Sequence, residues 1–163
     1  MFRHLPLLAL LFLATPALAQ RVEITTPLDG YARPDRFIGL HVSADGLPGP
    51  TLRLSSPALL PTEVPVAAGR VDATVPVLAR GDALPDVIDW ASGGATGRVP
   101  LALRRLRSDD RLILVAGDDA GTAQLAADLF PRKAAVVVRI DAGRTRPLWP
   151  PAAFAAADLV ALD

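Results

Sequence analysis

The spacing of apolar residues changes near Ser108, and this change constrains the fold more than any other feature of the sequence. Before it, apolar and polar residues alternate in short segments, as at 71–77. After it, apolar residues run continuously, as at 112–115 and 136–138. Alternation is typical of strands with one buried face, and continuous runs are typical of strands buried on both faces. The sequence therefore predicts two parts, divided after residue 107.

Residues 20–107 predict an antiparallel β-sandwich of the immunoglobulin-like type. The alternating segments are separated by Gly-, Pro- and Asp-rich turns, and no segment has a convincing helical period. Ile38, Leu40 and Val42 are expected to face inward, with His41 on the outer face. The expected strands lie near 21–24, 37–42, 51–54, 64–66, 71–77 and 99–103.

Residues 108–163 predict the first half of a doubly wound parallel α/β domain. Strands are expected at 111–115, 134–140 and 158–162, with helices near 123–130 and 152–157 between them. Such domains usually exceed about 100 residues. The segment 108–163 is shorter and holds only three strands and two crossovers. We therefore expect the sequence to be a truncated or fragmentary reading frame.

The first 19 residues predict a cleavable signal peptide. Arg3 gives a basic start, an apolar run follows at 5–14, and small residues end at Ala19. The alternative, a transmembrane anchor, needs about 20 apolar residues, and Pro16 interrupts the run too early. We expect cleavage after Ala19 and a location in the periplasm or cell envelope.

Composition narrows the classes of function. The chain has no cysteine, which excludes disulfides, thiolate metal sites and a cysteine nucleophile within these residues. Removing the predicted signal peptide leaves 16 basic against 17 acidic side chains. That balance does not favour a nucleic-acid partner, which calls for a basic domain. No cofactor is expected, and no second segment is long and apolar enough to span a bilayer.

Two segments carry a resemblance to a known group of proteins. The segment at 27–37, Pro-Leu-Asp-Gly-Tyr-Ala-Arg-Pro-Asp-Arg-Phe, resembles the opening "G-Y-x-R-P-G-R-[WF]" of large bacterial exported or membrane-anchored proteins of unassigned function. The segment at 148–160 is similar to the same group's entry into a third strand. Asp35 stands where the group usually has glycine.

The resemblance implies a fold and a role. In that group a β-sandwich precedes a class I glutamine amidotransferase-like, flavodoxin-like domain, often followed by a membrane helix. Its α/β domain is generally thought to lack the amidotransferase nucleophile. The position of that nucleophile would fall beyond Asp163 in this chain.

The candidate ligand-binding residues lie at the predicted carboxyl edge of the parallel sheet, where open α/β sheets bind ligands. One interpretation is structural, a turn and a helix cap. Another is a Mg²⁺ site resembling response-regulator receivers, formed by Asp118, Asp119 and Asp163. Export argues against a receiver-like site, because phosphorylation of a receiver requires a cytoplasmic kinase. The sequence therefore predicts no metal site. The candidates are Gly117, Asp118, Asp119, Gly121, Thr122 and Asp163.

Arginines gather at 104–111 around Asp109 and Asp110. They predict either a patch for phosphate or an acidic partner, or a solvated linker with weak local ion pairs, and the linker is favoured. His41 has no Ser/Asp partner motif, and one histidine rarely builds a zinc site. Tyr31, Trp90 and Trp149 are interpreted as core or interface anchors.

The sequence favours an exported envelope protein with a non-catalytic binding or scaffold role. Its expected partner is another envelope protein, and a membrane contact would require a downstream anchor. The alternative is a fragment of an amidotransferase-like hydrolase or transferase whose nucleophile and base lie downstream. The third hypothesis is the Mg²⁺-binding switch.

Overall fold

The computed structural model describes residues 20–34, 36–116, 121, 124, 128, 135–140, 152 and 156–162. The predicted signal peptide and Trp149 lie outside these residues. No helix in the described part of the chain is long and apolar enough to cross a membrane.

The first sheet contains three antiparallel strands in the order β1-β3-β6. Its strands are β1 (Arg21–Thr25), β3 (Phe37–Asp45) and β6 (Val71–Leu78). Along β3, Ile38, Leu40 and Val42 are buried while His41 is half-buried on the other face. The period-two pattern therefore predicted the inward face of this strand correctly.

The second sheet contains four antiparallel strands in the order β5-β4-β7-β8. Its strands are β4 (Thr51–Ser55), β5 (Thr62–Pro65), β7 (Val87–Ser92) and β8 (Ala95–Pro100). Ile88 and Trp90 of β7 join residues of the first sheet in one hydrophobic core. Two antiparallel sheets around a shared core are the arrangement of a β-sandwich.

The sequence prediction missed one strand of this sheet and misplaced another. Strand β7 places Ile88, Trp90 and Ser92 on its buried face, but a buried serine and two intervening polar or small residues weaken the apolar signal. The strand predicted at 99–103 begins earlier, at Ala95, and ends at Pro100, and the next N–H, that of Leu101, still donates to the Asp86 carbonyl at 2.7 Å. Leu101 is nevertheless buried in the core beyond the strand.

Two short strands connect the beginning and the end of the sandwich. A single 3₁₀ turn (Leu28–Gly30) leads into β2 (Tyr31–Ala32), which pairs in parallel with β9 (Arg104–Arg105). The Leu106 N–H extends this contact by donating to the Ala32 carbonyl at 3.0 Å. The segment before residue 108 is therefore part of the folded body.

The third sheet is parallel, with β10 in its centre in the order β11-β10-β12. Its strands are β10 (Arg111–Ala116), β11 (Ala135–Ile140) and β12 (Leu159–Leu162), each within one residue of its prediction. All side chains at 112–115 are fully buried, as continuous apolar strands require. Gly121, Gln124 and Asp128 have helical backbone, and the rest of the predicted helix at 123–130 lies outside the described residues.

Candidate functional site

A second hydrophobic cluster joins the sandwich to the parallel sheet. Leu28 and Tyr31 come from the start of the sandwich, and Leu112 and Leu114 come from β10. Burying such side chains stabilises a fold by about 25 cal/mol per Å² of apolar surface. The two parts therefore share apolar packing. The buried members are Leu28, Leu106, Leu112, Leu114, Val138 and Ala156.

Gly30 shapes the turn that brings this cluster together. Its φ is +80°, and a Cβ atom at this position would lie 2.6 Å from the Ala102 carbonyl oxygen. Only glycine has no Cβ and enters this backbone region freely. Residues 30 and 102 approach each other directly before the paired strands β2 and β9.

Arg33, directly after β2, binds two distant segments of chain at once. Its Nε donates to the Ala156 carbonyl at 3.1 Å, and its Nη2 donates to the Asp110 carbonyl at 2.8 Å. Nη1 donates to the Arg107 carbonyl at 3.2 Å. Nη2 also donates to Oδ2 of Asp158, and the Arg33 side chain is only 15% exposed. We call Arg33 and Asp158, with these carbonyls, the arginine clamp.

Asp158 is the acidic half of the clamp and sits just before β12. Its Oδ2 also accepts the Leu112 N–H at 2.9 Å, and its Oδ1 accepts from Arg111 Nη1 at 3.1 Å. Its own N–H donates to the Leu112 carbonyl at 2.8 Å. These bonds fix the start of β12 beside the start of β10.

The surroundings of Asp158 hold its carboxyl group in the ionised form. Burial alone would raise its pKa, but the Leu112 N–H bond and the charges of Arg33 and Arg111 outweigh burial. The pKa of Asp158 therefore lies below its ordinary value. A permanently protonated guanidinium facing an ionised carboxylate is suited to holding segments together and poorly suited to proton transfer.

The arginine-rich segment forms an ordered turn, and its cations do not pair with the nearby acids as the linker interpretation expected. The Arg107 N–H donates to Asp110 Oδ2 at 2.8 Å, which aims the carbonyls of both residues at Arg33. Arg111 pairs with Asp158. The Arg104 guanidinium lies over the Tyr31 ring, 5.4 Å from its centre.

A groove lies beside the clamp, and four arginines line it. Arg33, Arg36, Arg105 and Arg107 contribute to its wall, together with Asp82. Its volume is about 490 Å³. We call it the arginine groove.

Most of the residues predicted to bind a ligand at the sheet edge lie outside the described part of the chain. Gly117, Asp118, Asp119, Thr122 and Asp163 lie outside the described residues, and Gly121 is exposed on helical backbone. Ala116 and Leu162, the last residues of β10 and β12, are register partners. The ligand-binding edge and the Mg²⁺ hypothesis therefore stay predictions.

The other side chains singled out from the sequence pack in the hydrophobic clusters or contact neighbouring side chains of the sandwich. Trp90 is buried in the sandwich core, and Tyr31 packs on the cluster at the junction. His41 lies 3.3 Å from Thr74 Oγ1 through Nδ1 and 3.5 Å from Asp72 Oδ1 through Nε2. Among the described residues, no three His, Asp or Glu side chains are grouped to hold a metal ion.

Comparison with family models, curated proteins and solved structures found no match to this chain. The geometry of the junction is therefore the basis for a functional argument. In the sequence, Arg33 and Asp158 stand out only as members of the segments at 27–37 and 148–160. The signal that could have paired them is that each is a charged residue immediately beside an apolar strand.

Proposed function

We propose that this chain is an exported envelope protein in which an immunoglobulin-like sandwich holds an amidotransferase-like α/β part as a rigid, non-catalytic binding scaffold. The observation that carries the proposal is the arginine clamp. One guanidinium group ties the entry of the sandwich to the turn at 107–110 and to the segment before β12. A scaffold needs a fixed relation between its parts, and this network supports one.

Electron-spin distance measurements test the rigid scaffold. The chain has no cysteine, so spin labels attach only to the cysteines introduced by Glu63→Cys and Gln124→Cys. Both positions are exposed. We expect a single narrow distance distribution, which broadens when Arg33→Ala is added. A matched Arg36→Ala variant should keep the narrow distribution. A broad distribution in the protein with an intact clamp would refute the scaffold proposal.

Export is tested separately. Expression of the complete sequence in a bacterium should yield a periplasmic protein whose mass corresponds to a start at Gln20. Charges introduced by Leu8→Arg and Leu11→Arg should retain the uncleaved chain in the cytoplasm, because they interrupt the apolar run. Periplasmic recovery of the charged variant would contradict the export proposal.

A further inference from the structure

Three arginines of the arginine groove have no ion-pair partner among the residues that the structure describes, although Asp82 also lines the groove. Arg33 is neutralised by Asp158, but Arg36, Arg105 and Arg107 are exposed. Within the described ranges, no carboxylate lies within 4.0 Å of their guanidinium groups. Arg53 and Arg80 are likewise exposed without an acid among the described residues, so what distinguishes the groove is that three such arginines line one cavity.

The backbone holds these cations near one another. Arg105 and Arg107 flank Leu106, which is buried and donates its N–H to the Ala32 carbonyl. In extended chain, side chains at i and i+2 point to the same face. The Arg36 carbonyl accepts the Ala79 N–H at 3.1 Å, which fixes the third cation at the same groove. Like charges held close together repel each other, and a bound anion relieves this repulsion, so the groove favours anion binding.

The chemistry of the groove selects the kind of anion. Guanidinium groups bind phosphate through paired N–H donors. A phosphate ester carries roughly −1.5 to −2 charge and three acceptor oxygens, so it can compensate several arginines, which a single carboxylate cannot. A volume of about 490 Å³ has room for more than a bare ion. We infer that the arginine groove binds a phosphorylated ligand.

Titration calorimetry with pyrophosphate tests this inference on the purified protein. We expect saturable binding at low ionic strength that weakens as salt is added. Arg105→Ala with Arg107→Ala should weaken it at least about tenfold, since each removes charged hydrogen bonds. The control, Arg53→Ala with Arg70→Ala, removes the same charge outside the groove and should leave the affinity within about twofold. No binding, or an equal loss in both double variants, would overturn the inference.

A second measurement separates the two sources of a phosphate group. Vesicles of phosphatidylglycerol and phosphatidylcholine should sediment the protein in a groove-dependent way if the ligand is a lipid headgroup. Pyrophosphate binding without such sedimentation identifies a free phosphorylated molecule. Both outcomes retain the phosphate site, and neither depends on the scaffold role.

Discussion

At the scale of single residues, the junction depends on the hydrogen bonds that the Arg33 guanidinium and the Asp158 carboxylate make with each other and with the neighbouring backbone. Arg33 donates to three backbone carbonyls and one carboxylate, while Asp158 accepts from two guanidinium groups and one backbone N–H. Charged hydrogen bonds in a partly buried site are stronger than exposed ion pairs, which contribute about 0–1 kcal/mol. Removing either partner leaves the other without its main compensation.

We predict that Arg33→Ala lowers the free energy of unfolding by about 2–3 kcal/mol, because several charged hydrogen bonds are lost at once. Arg33→Lys should recover only part of this, since an ammonium group lacks the planar fork. The exposed neighbour serves as control, and Arg36→Ala should change stability by less than about 0.5 kcal/mol. Urea unfolding measures all three, and equal effects of Arg33→Ala and Arg36→Ala would contradict the clamp.

The lowered pKa of Asp158 predicts a pH dependence. A carboxyl group whose pKa is lower in the folded state stabilises the fold above its unfolded pKa of about 3.9. That contribution disappears as the pH falls through the folded pKa. The stability gap between the natural protein and Asp158→Asn should therefore be constant from about pH 5 to pH 7 and shrink below about pH 4.

Asp109→Asn is the matched control for this measurement, because it removes an exposed carboxylate from the turn at 107–110, which Arg33 also contacts. Its stability should follow that of the natural protein in the neutral range and differ from it little at acid pH. A gap for Asp158→Asn that stays unchanged down to pH 3 would show that its carboxylate does not contribute through ionisation.

At the scale of elements, the pairing of β2 with β9 holds the entry and exit of the sandwich together. It consists of two residue pairs, Tyr31 with Arg104 and Ala32 with Arg105. So short a ladder is not stable by itself. It is stabilised by its surroundings, namely the Gly30 turn, the hydrogen bond from the Leu106 N–H to the Ala32 carbonyl and the packing of Tyr31.

We predict that Gly30→Ala destabilises the protein by more than about 2 kcal/mol. It combines a left-handed backbone, which costs about 1–2 kcal/mol for an L residue, with a steric clash against the Ala102 carbonyl. Gly94→Ala isolates the first effect, because Gly94 has φ +89° and open space around its Cβ position. Thermal melts should rank the variants natural protein, Gly94→Ala, Gly30→Ala. Equal melting temperatures for the two variants would rule out the steric contribution.

At the scale of the whole molecule, the described residues include one hydrophobic cluster inside the sandwich and another between the sandwich entry and the parallel sheet. The arginine clamp spans the same junction as the second cluster, since Arg33 donates to the Ala156 carbonyl and to the turn before β10. Apolar packing and these polar contacts therefore act together against separation of the two parts. Cooperative units of a protein open separately when the contacts between them are weak.

We predict that Arg33→Ala uncouples the parallel sheet from the sandwich without unfolding the sandwich. Hydrogen exchange followed by mass spectrometry should speed up by about tenfold or more in peptides covering β10, because opening then costs less free energy. Peptides covering β7, inside the sandwich core, should exchange at the rate of the natural protein. Faster exchange in both strands would indicate global destabilisation instead.

The sequence by itself determined the strands of both parts where apolar periodicity was strong, as for β3, β6 and β10. It failed at β7, where Ser92 faces the core, and at β8, where the inward positions Ala95 and Gly97 carry little apolar surface. Periodicity reports which face of a short segment is buried, because side-chain direction follows from local backbone geometry. It carries no information about which distant segment covers that face.

Only the tertiary structure decided that Arg33 meets Asp158, 125 residues away along the chain. The same holds for the arginine groove, whose cations come from segments near 36 and 105. Both depend on how the chain returns upon itself. In the sequence, a charged residue beside a strand could pair with any of many residues of opposite charge. The path of the backbone brings only one of them within reach, and the packing of the hydrophobic clusters fixes that path.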